Sequence, residues 1–422
     1  MLIKRRNVLG SLGGMAMLPL LVESLQATET TDTNTILVVI YLQGGNDGLN
    51  TVIPLPQYKY YYNLRTPADP PPGEALAYPL DALQLLAFDS NPSVPPLQAT
   101  EYAFAPPMVA MRDLYATGNL AVIAGVGLPL AEINGLSHSN ATMDWMTGQI
   151  NIGLVQPSGW LGSTLVNVNG GSLGPTCSMS GNIPLLITTE TQPLVINPPM
   201  DYFGVHYGVS DDGKKLAEVY KAISNIPALS TSGQADEAVM QTALTDIGIV
   251  KSLAKKEKAK DYPLPSWLDY QLRDIGRLIA GNSGIRGFFA EQGGYDTHSA
   301  QALSQPNLLA ELGQAIVNFY EYLSSLNVTK NVVVMTVSDF GRRPNANLNF
   351  GTDHGAASVS FVFGNQVKGG VYGTYPSLKK FDPNGNLKVN VDFRNVLSDL
   401  IVAMGGNPTP ILGETWPSLG FI

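Results

Sequence analysis

Four histidines serve 422 residues, and three of them sit beside acidic or hydroxyl side chains in compact, turn-like motifs. These are Ser137-His138-Ser139, Gly293-Gly294-Tyr295-Asp296-Thr297-His298 and Gly351-Thr352-Asp353-His354-Gly355. Two more motifs follow apolar runs: Gly44-Gly45-Asn46-Asp47-Gly48 comes after Ile36 to Leu42, and Ser338-Asp339-Phe340-Gly341-Arg342 after Val332 to Val337. Imidazoles and carboxylates held at strand ends suggest a metal site. Mixed Asp and His ligands favour zinc, manganese or iron, whereas an all-oxygen set favours calcium or magnesium. The same ligand types allow a two-metal hydrolase.

Strand ends matter because open α/β sheets bind ligands in the crevice beyond their carboxyl edges, where loops carry the chemistry. The continuous β-branched run Ile36 to Ile40 reads as a buried strand. A helix over Pro107 to Thr117 and a strand over Leu120 to Ala124 follow, a β-α-β spacing that predicts a parallel sheet. The last third repeats the rhythm: Gly287 to Ala290, a helix from Asn307 to Leu326, strands Asn331 to Val337 and Val359 to Phe363, and a closing helix from Asp392 to Met404. Residues 54–107, rich in Pro and Tyr, read as an excursion over the surface. Residues 151–210 read as a small cap, and 212–281 as a layer of three helices. The expectation is one α/β domain over 36–422, a three-layer α/β/α sandwich on a mostly parallel sheet, with insertions at about 54–107 and 151–265.

Composition agrees: 44% hydrophobic residues can bury a large core. Residues 1–27, with Lys4-Arg5-Arg6 before a short apolar stretch from Val8 to Val22, read as a twin-arginine signal peptide, and Thr28 to Thr35 as a linker. The expected location is periplasmic or secreted, with the twin-arginine translocase as partner during export and no stable membrane span after cleavage. Residues 1–27 carry three cations and Glu23, so their removal takes the formal charge from −9 to −11. An acidic chain without a basic stripe excludes nucleic acid as a natural partner. The single cysteine, Cys177, cannot form an internal disulfide.

Simpler roles compete at each motif. Gly44 to Gly48 are residues that tolerate a tight turn, and Asp296 and Thr297 have the side chains of helix caps. Asp339-Phe340-Gly341 is not a kinase magnesium motif, because no His-Arg-Asp loop or nucleotide-binding Gly-rich strand precedes it. His206 reads as structural or cap-borne, and Lys251 to Lys260 as a solvated helical face. No Gly-x-Gly-x-x-Gly fingerprint supports a nucleotide oxidoreductase.

Taken in order, the motifs resemble domain-of-unknown-function family 1501, with Leu120-Ala121-Val122-Ile123 and Gly159-Trp160-Leu161-Gly162 completing a set of seven. The resemblance places the chain in the alkaline phosphatase superfamily and implies a metal cluster at one sheet edge. It implies that Asp47 binds one metal, that Asp296 and His298 serve the other, and that His354 supplies the remaining histidine. The superfamily usually leaves three residues between that Asp and His; here there is one. Asp339 lies where the superfamily has an Asp followed by His or Asn, but Phe340 stands in the second place, so that one site is incomplete unless Asp353 completes it. Superfamily nucleophiles begin a helix. By analogy with the closing Trp-x-Thr-Gly, that position falls on His138 flanked by Ser137 and Ser139: either serine attacks with His138 as ligand or base, or His138 itself attacks.

The expected function is an exported metal-dependent hydrolase of phosphate or sulfate esters, small or polymeric. Zinc is the leading cofactor, with manganese, iron or calcium as alternatives, and Arg342 neutralises the charge of the attacked group. The alternative is a non-catalytic exported binding or assembly protein that retains the fold and one metal. Geometry separates them: the hydrolase requires Asp47, Asp296, His298, Asp339 and His354 in one pocket, faced by a hydroxyl or imidazole from Ser137 to Ser139.

Overall fold

A computed structural model of the chain describes residues 34–67, 70–129, 136–150, 158–168, 173–203, 218, 231–257 and 259–422. The expected signal peptide, most of the linker and His206 lie outside them. The strand β1, Ile36–Leu42, is central and buried almost throughout, as its unbroken apolar sequence requires. Alternate side chains leave it on opposite faces: Val38, Ile40 and Leu42 enter one core, and Leu37, Val39 and Tyr41 a second.

The other strands of the large sheet are β2 (Leu120–Gly127), β3 (Thr176–Ser178), β4 (Leu194–Val195), β5 (Gly287–Gln292), β6 (Val332–Ser338), β7 (Ala357–Gly364), β8 (Gly370–Gly373) and β9 (Val391–Asp392). Their order is β8-β2-β7-β6-β1-β5-β3-β4, with β9 also paired to β2. Every pairing is parallel except the two made by β7. Because β7 runs against both neighbours, its beginning lies at the edge where β1, β2, β5 and β6 end. Residues preceding β7 therefore meet residues following those four strands, which brings the histidine and aspartate motifs to one edge.

Helices cover both faces. The labelled helices are α1 (Tyr58–Arg65), α2 (Val109–Ala116), α3 (His138–Thr147), α4 (Trp160–Leu165), α5 (Thr231–Lys256), α6 (Trp267–Ala280), α7 (Gln301–Ser325) and α8 (Phe393–Ala403). Side chains of α2, α6 and α7 fill the first core, and those of α3, α4 and α8 the second. The result is the expected three-layer α/β/α sandwich. No helix among the described residues is long and apolar enough to cross a membrane.

Three local expectations change. α7 begins at Gln301, six residues early, and includes Pro306. Pro306 is the sixth residue of the helix, so its second turn forgoes one backbone hydrogen bond. Ala300 takes the N-cap of α7, so Asp296 and Thr297 are not its caps. The stretch 54–107 is more than an excursion: it holds α1, with Tyr61 and Arg65 buried, and its strand Tyr102–Phe104 pairs with both Val52–Pro54 and Ala87–Phe88 in a small sheet. Cys177 is buried in β3, where burial pushes its thiol pKa up.

Candidate metal centre

β1 ends in the turn Gly44-Gly45, and both glycines adopt positive φ, at 118° and 87°. Space forbids any other residue at Gly44: a Cβ there would lie 2.3 Å from the backbone nitrogen of Asp296. At Gly45 it would lie 2.7 Å from the Phe340 ring. The turn is tied on both sides. Its Gly44 N–H donates to Asp339 Oδ1 at 3.1 Å, while Arg342 donates to the Gly44 carbonyl and, at 2.8 Å, to that of Gly45.

Arg342 is fully buried and also donates to Thr352 O, Tyr295 O and Asp296 Oδ1. Its guanidinium therefore welds three loops together and presents no face to a ligand. This corrects the expected role as an anion clamp: Arg342 is a positioning residue that aims Asp296.

Asp296 meets three imidazoles. Its Oδ1 lies 3.0 Å from His298 Nε2 and 3.5 Å from His354 Nε2, and its Oδ2 lies 3.5 Å from His138 Nε2. The Nε2 atoms of His298 and His354 are 2.9 Å apart. Each ring is oriented through its other nitrogen. His138 Nδ1 donates to Asp339 Oδ2 at 2.5 Å, and His354 Nδ1 donates to the Leu136 carbonyl at 2.9 Å. His298 Nδ1 faces Asp353 Oδ1 at 3.5 Å. With Nδ1 carrying the proton, a neutral imidazole offers its Nε2 lone pair, so three lone pairs and a carboxylate converge.

That arrangement fits a cation. His138 Nε2 is buried and has no hydrogen-bond partner, although buried polar atoms are ordinarily satisfied. Two imidazole lone pairs 2.9 Å apart repel unless a proton or a metal lies between them. Ligands about 2.0–2.1 Å from a tetrahedral zinc stand about 3.3 Å from one another, within the range of separations seen here. Backing each ring nitrogen with a carboxylate or carbonyl is the usual support of metal-binding histidines. Ligand atoms of His138, Asp296 and His354 all lie within 4.8 Å of one another.

The electrostatics suit the same reading. Burial is the largest influence on Asp296 and raises its pKa, but the Arg342 hydrogen bond and charge, with His298 and His138, bring it below the ordinary carboxylate value. Burial lowers the pKa of His354 and favours the neutral ring that a metal requires. A hydrogen bond from Asn347 leads the influences that lower Asp353.

Phe340 is a platform rather than a lost ligand. Its ring lies 4.8 Å from that of His138 and 4.4 Å from that of His354, wedging both in place.

Asp47 departs most from expectation. It is buried away from the cluster, with Oδ1 accepting from Arg65 Nη2 at 2.6 Å and Oδ2 from Gln301 Nε2 at 2.6 Å. The Gln301 carbonyl oxygen in turn accepts from Thr297 and Thr352, the neighbours of His298 and Asp353. Asp47 thus braces the metal loops from beneath. Asp339 and Asp353 likewise orient imidazoles, and His138, weighed at first as nucleophile, ligand or base, takes the geometry of a ligand. Of the five residues that the hydrolase required in one pocket, Asp296, His298, Asp339 and His354 gather and Asp47 does not, so the expected site fails its test at Asp47, and what is left is a one-ion cluster in which His138 is the additional ligand. The partner that turns Asp47 inward, Arg65, lay in a stretch read as surface.

Beside the cluster opens a cleft of about 550 Å³ between β1, β5 and α3. His138, Ser139, Asp296 and Asp339 line it on the metal side. Tyr41 reaches Thr142 across it at 2.6 Å, and burial pushes the Tyr41 phenol pKa up, with the charge of Asp339 adding to the effect. Ser139 is exposed and its hydroxyl meets Ser137 Oγ at 3.1 Å.

A Gly44→Ala variant is expected to lose about 1–3 kcal/mol of stability from strained backbone and to bind zinc more weakly, because the added carbon displaces Asp296. Denaturant unfolding and zinc titration check this; unchanged zinc affinity would deny the turn its positioning role.

A family described as a protein of unknown function (DUF1501) matches residues 216–412. No curated protein matches. Among solved structures, the fold is similar to alkaline phosphatase from the Antarctic bacterium TAB5, at TM-score 0.32 and 10% identity over 90% of this chain and 99% of that one. It is also similar to the phosphonate monoester hydrolase of Silicibacter pomeroyi, at TM-score 0.31 and 11% identity over 91% of this chain and 78% of that one.

Proposed function

We propose that the protein is a metal-dependent hydrolase of phosphate or sulfate esters, acting at the mouth of the cleft. The observation that carries this is the convergence of three imidazole Nε2 atoms on the Asp296 carboxylate, beside a cleft large enough for a small ester. His138, His298, His354 and Asp296 would hold the ion; three nitrogens and one carboxylate suit zinc best, then manganese or iron, and calcium least. A divalent cation bound there supplies Lewis-acid polarisation of an ester oxygen.

The protein's own groups do the rest. Arg342 fixes Asp296, while Asp339, the Leu136 carbonyl and Asp353 fix the three rings, so that little reorganisation accompanies ligand binding. Ser139 stands on the cleft wall at the N-terminal turn of α3, where the helix dipole favours developing negative charge. It is the serine of the pair that faces the cleft, and so the hydroxyl we place at the reacting group.

One observation favours a second reading. Among the described residues Ser139 contacts another hydroxyl and no base, because His138 is engaged by Asp339, as suits a binding protein that keeps a metal without turnover. Export through the twin-arginine translocase, supported by Lys4-Arg5-Arg6, would put either activity in the periplasm or outside the cell.

The experiment is turnover of aryl phosphate and aryl sulfate by protein stripped with chelator and reloaded with zinc, manganese or iron. Activity that chelation abolishes and one of these metals restores is expected. A metal-loaded, folded protein inert toward both esters would favour the binding reading.

A further inference from the structure

The cleft has a second charged wall, remote from the metal ligands. Glu291 stands near the end of β5, in parallel register with Tyr41 of β1, and both line the cleft. Its backbone is clamped by Gln271, which donates to the Glu291 carbonyl at 2.7 Å and accepts from its N–H at 2.9 Å. Its carboxylate accepts from the Ser180 hydroxyl. Ser180 can donate only one proton, so lone pairs of the carboxylate remain open to the cleft.

Among the described residues no ion pair to this charge is seen. Among the described residues that line the cleft there is no lysine or arginine, and the other charged groups there are Asp296 and Asp339. The wall beside Glu291 is apolar and electron-rich, formed by Phe289, Met143 and Met146 with the Tyr41 ring 6.1 Å from that of Phe289. A half-buried carboxylate in such a wall, with one hydroxyl as its side-chain donor, gains from a further donor or a cation. Aromatic rings and thioethers beside a carboxylate attract a positive head while covering an apolar stem.

We infer that the cleft binds a ligand bearing a cationic amine on an apolar chain, with the ammonium against Glu291 and the chain along Met143, Met146 and Phe289. This deepens the hydrolase reading and rests on it only for the other end of the ligand, where the anionic ester meets the metal centre. The substrate would be zwitterionic, its two charges separated by the width of the cleft. A dianionic ester without an amine would face Glu291 unpaired.

The test uses three probes of equal chain length and different charge, hexylammonium, hexanol and hexanoate, titrated by calorimetry into the full chain. Hexylammonium is expected to bind about tenfold or more tightly than hexanol, hexanoate weakest of all. Glu291→Gln, which keeps the acceptor for Ser180, should erase that preference. Met143→Lys, which adds a cation to the lining beside Glu291, should do the same if Glu291→Gln fails to fold. The preference should be the same in chelator-stripped and in zinc-loaded protein, which separates this inference from the metal-dependent reaction. Equal binding of hexylammonium and hexanol to the wild type, or a preference that survives in a folded Glu291→Gln or Met143→Lys, would overturn the inference. An ammonium preference without ester turnover would uphold it and discard the hydrolase.

Discussion

A His138→Ala variant is expected to bind zinc more than 100-fold more weakly than the wild type while remaining folded. The ring supplies one of three converging Nε2 atoms, and this nitrogen is the buried one that finds no partner within the protein. The loss should exceed that of Asp339→Asn, which keeps the ring and disturbs only its support, a change worth about 10–100-fold in metal affinity. The mechanism of the smaller loss is specific. An asparagine amide that donates to His138 Nδ1 forces the proton onto Nε2, turning the lone pair away from the ion. Removing His138 also strips buried Asp339 of its 2.5 Å partner, so the alanine variant should lose about 1–3 kcal/mol of stability as well. Competition with a chromophoric chelator measures both affinities. Wild-type affinity in His138→Ala, or a larger loss in Asp339→Asn than in His138→Ala, would contradict the assignment of ligand and support.

Arg65→Ala is expected to destabilise the protein by about 3–5 kcal/mol, the usual result of leaving one member of a buried ion pair alone. Both side chains are wholly inaccessible, and Arg65 Nη2 lies 2.6 Å from Asp47 Oδ1. Asp47 holds Gln301, and Gln301 holds Thr297 and Thr352, so the damage should also travel to the metal loops. Restoring zinc should therefore recover only part of the lost stability. Replacing the pair together, as Arg65→Met with Asp47→Leu, removes both charges and should cost less than Arg65→Ala alone. Denaturant unfolding of the three variants decides it. A loss below about 1 kcal/mol for Arg65→Ala would show that the pair carries no structural load.

The chain states its architecture more openly than its site. The run Ile36 to Ile40 and the run Val332 to Val337 are apolar without alternation, which only a strand buried on both faces explains. Asp296, His298 and Asp339 follow strands of the large sheet, whereas His354 precedes β7, and the reversed direction of β7 brings its leading loop to the same edge. Which carboxylate faces the ion was not legible. Asp47 and Asp296 both follow a glycine-rich turn after a strand, and only the tertiary partners, Arg65 for one and three imidazoles for the other, set them apart. Arg342 looked like a free cation because its acceptors are backbone carbonyls, which leave no mark in a sequence. Phe340 looked like a defect in a ligand pair because its packing against two imidazoles depends on a register that no local pattern encodes. Tyr41 and Glu291 escaped notice inside strands read for hydrophobicity alone, although a carboxylate next to an otherwise apolar run was the available signal.

The most direct test is anomalous scattering at the zinc edge from crystals of the zinc-loaded chain, with elemental analysis of the same preparation. One zinc per chain is expected, with density between Asp296 and the Nε2 atoms of His138, His298 and His354. A chain that takes up no zinc, or an ion found at Asp47 with the three imidazoles free, would contradict it.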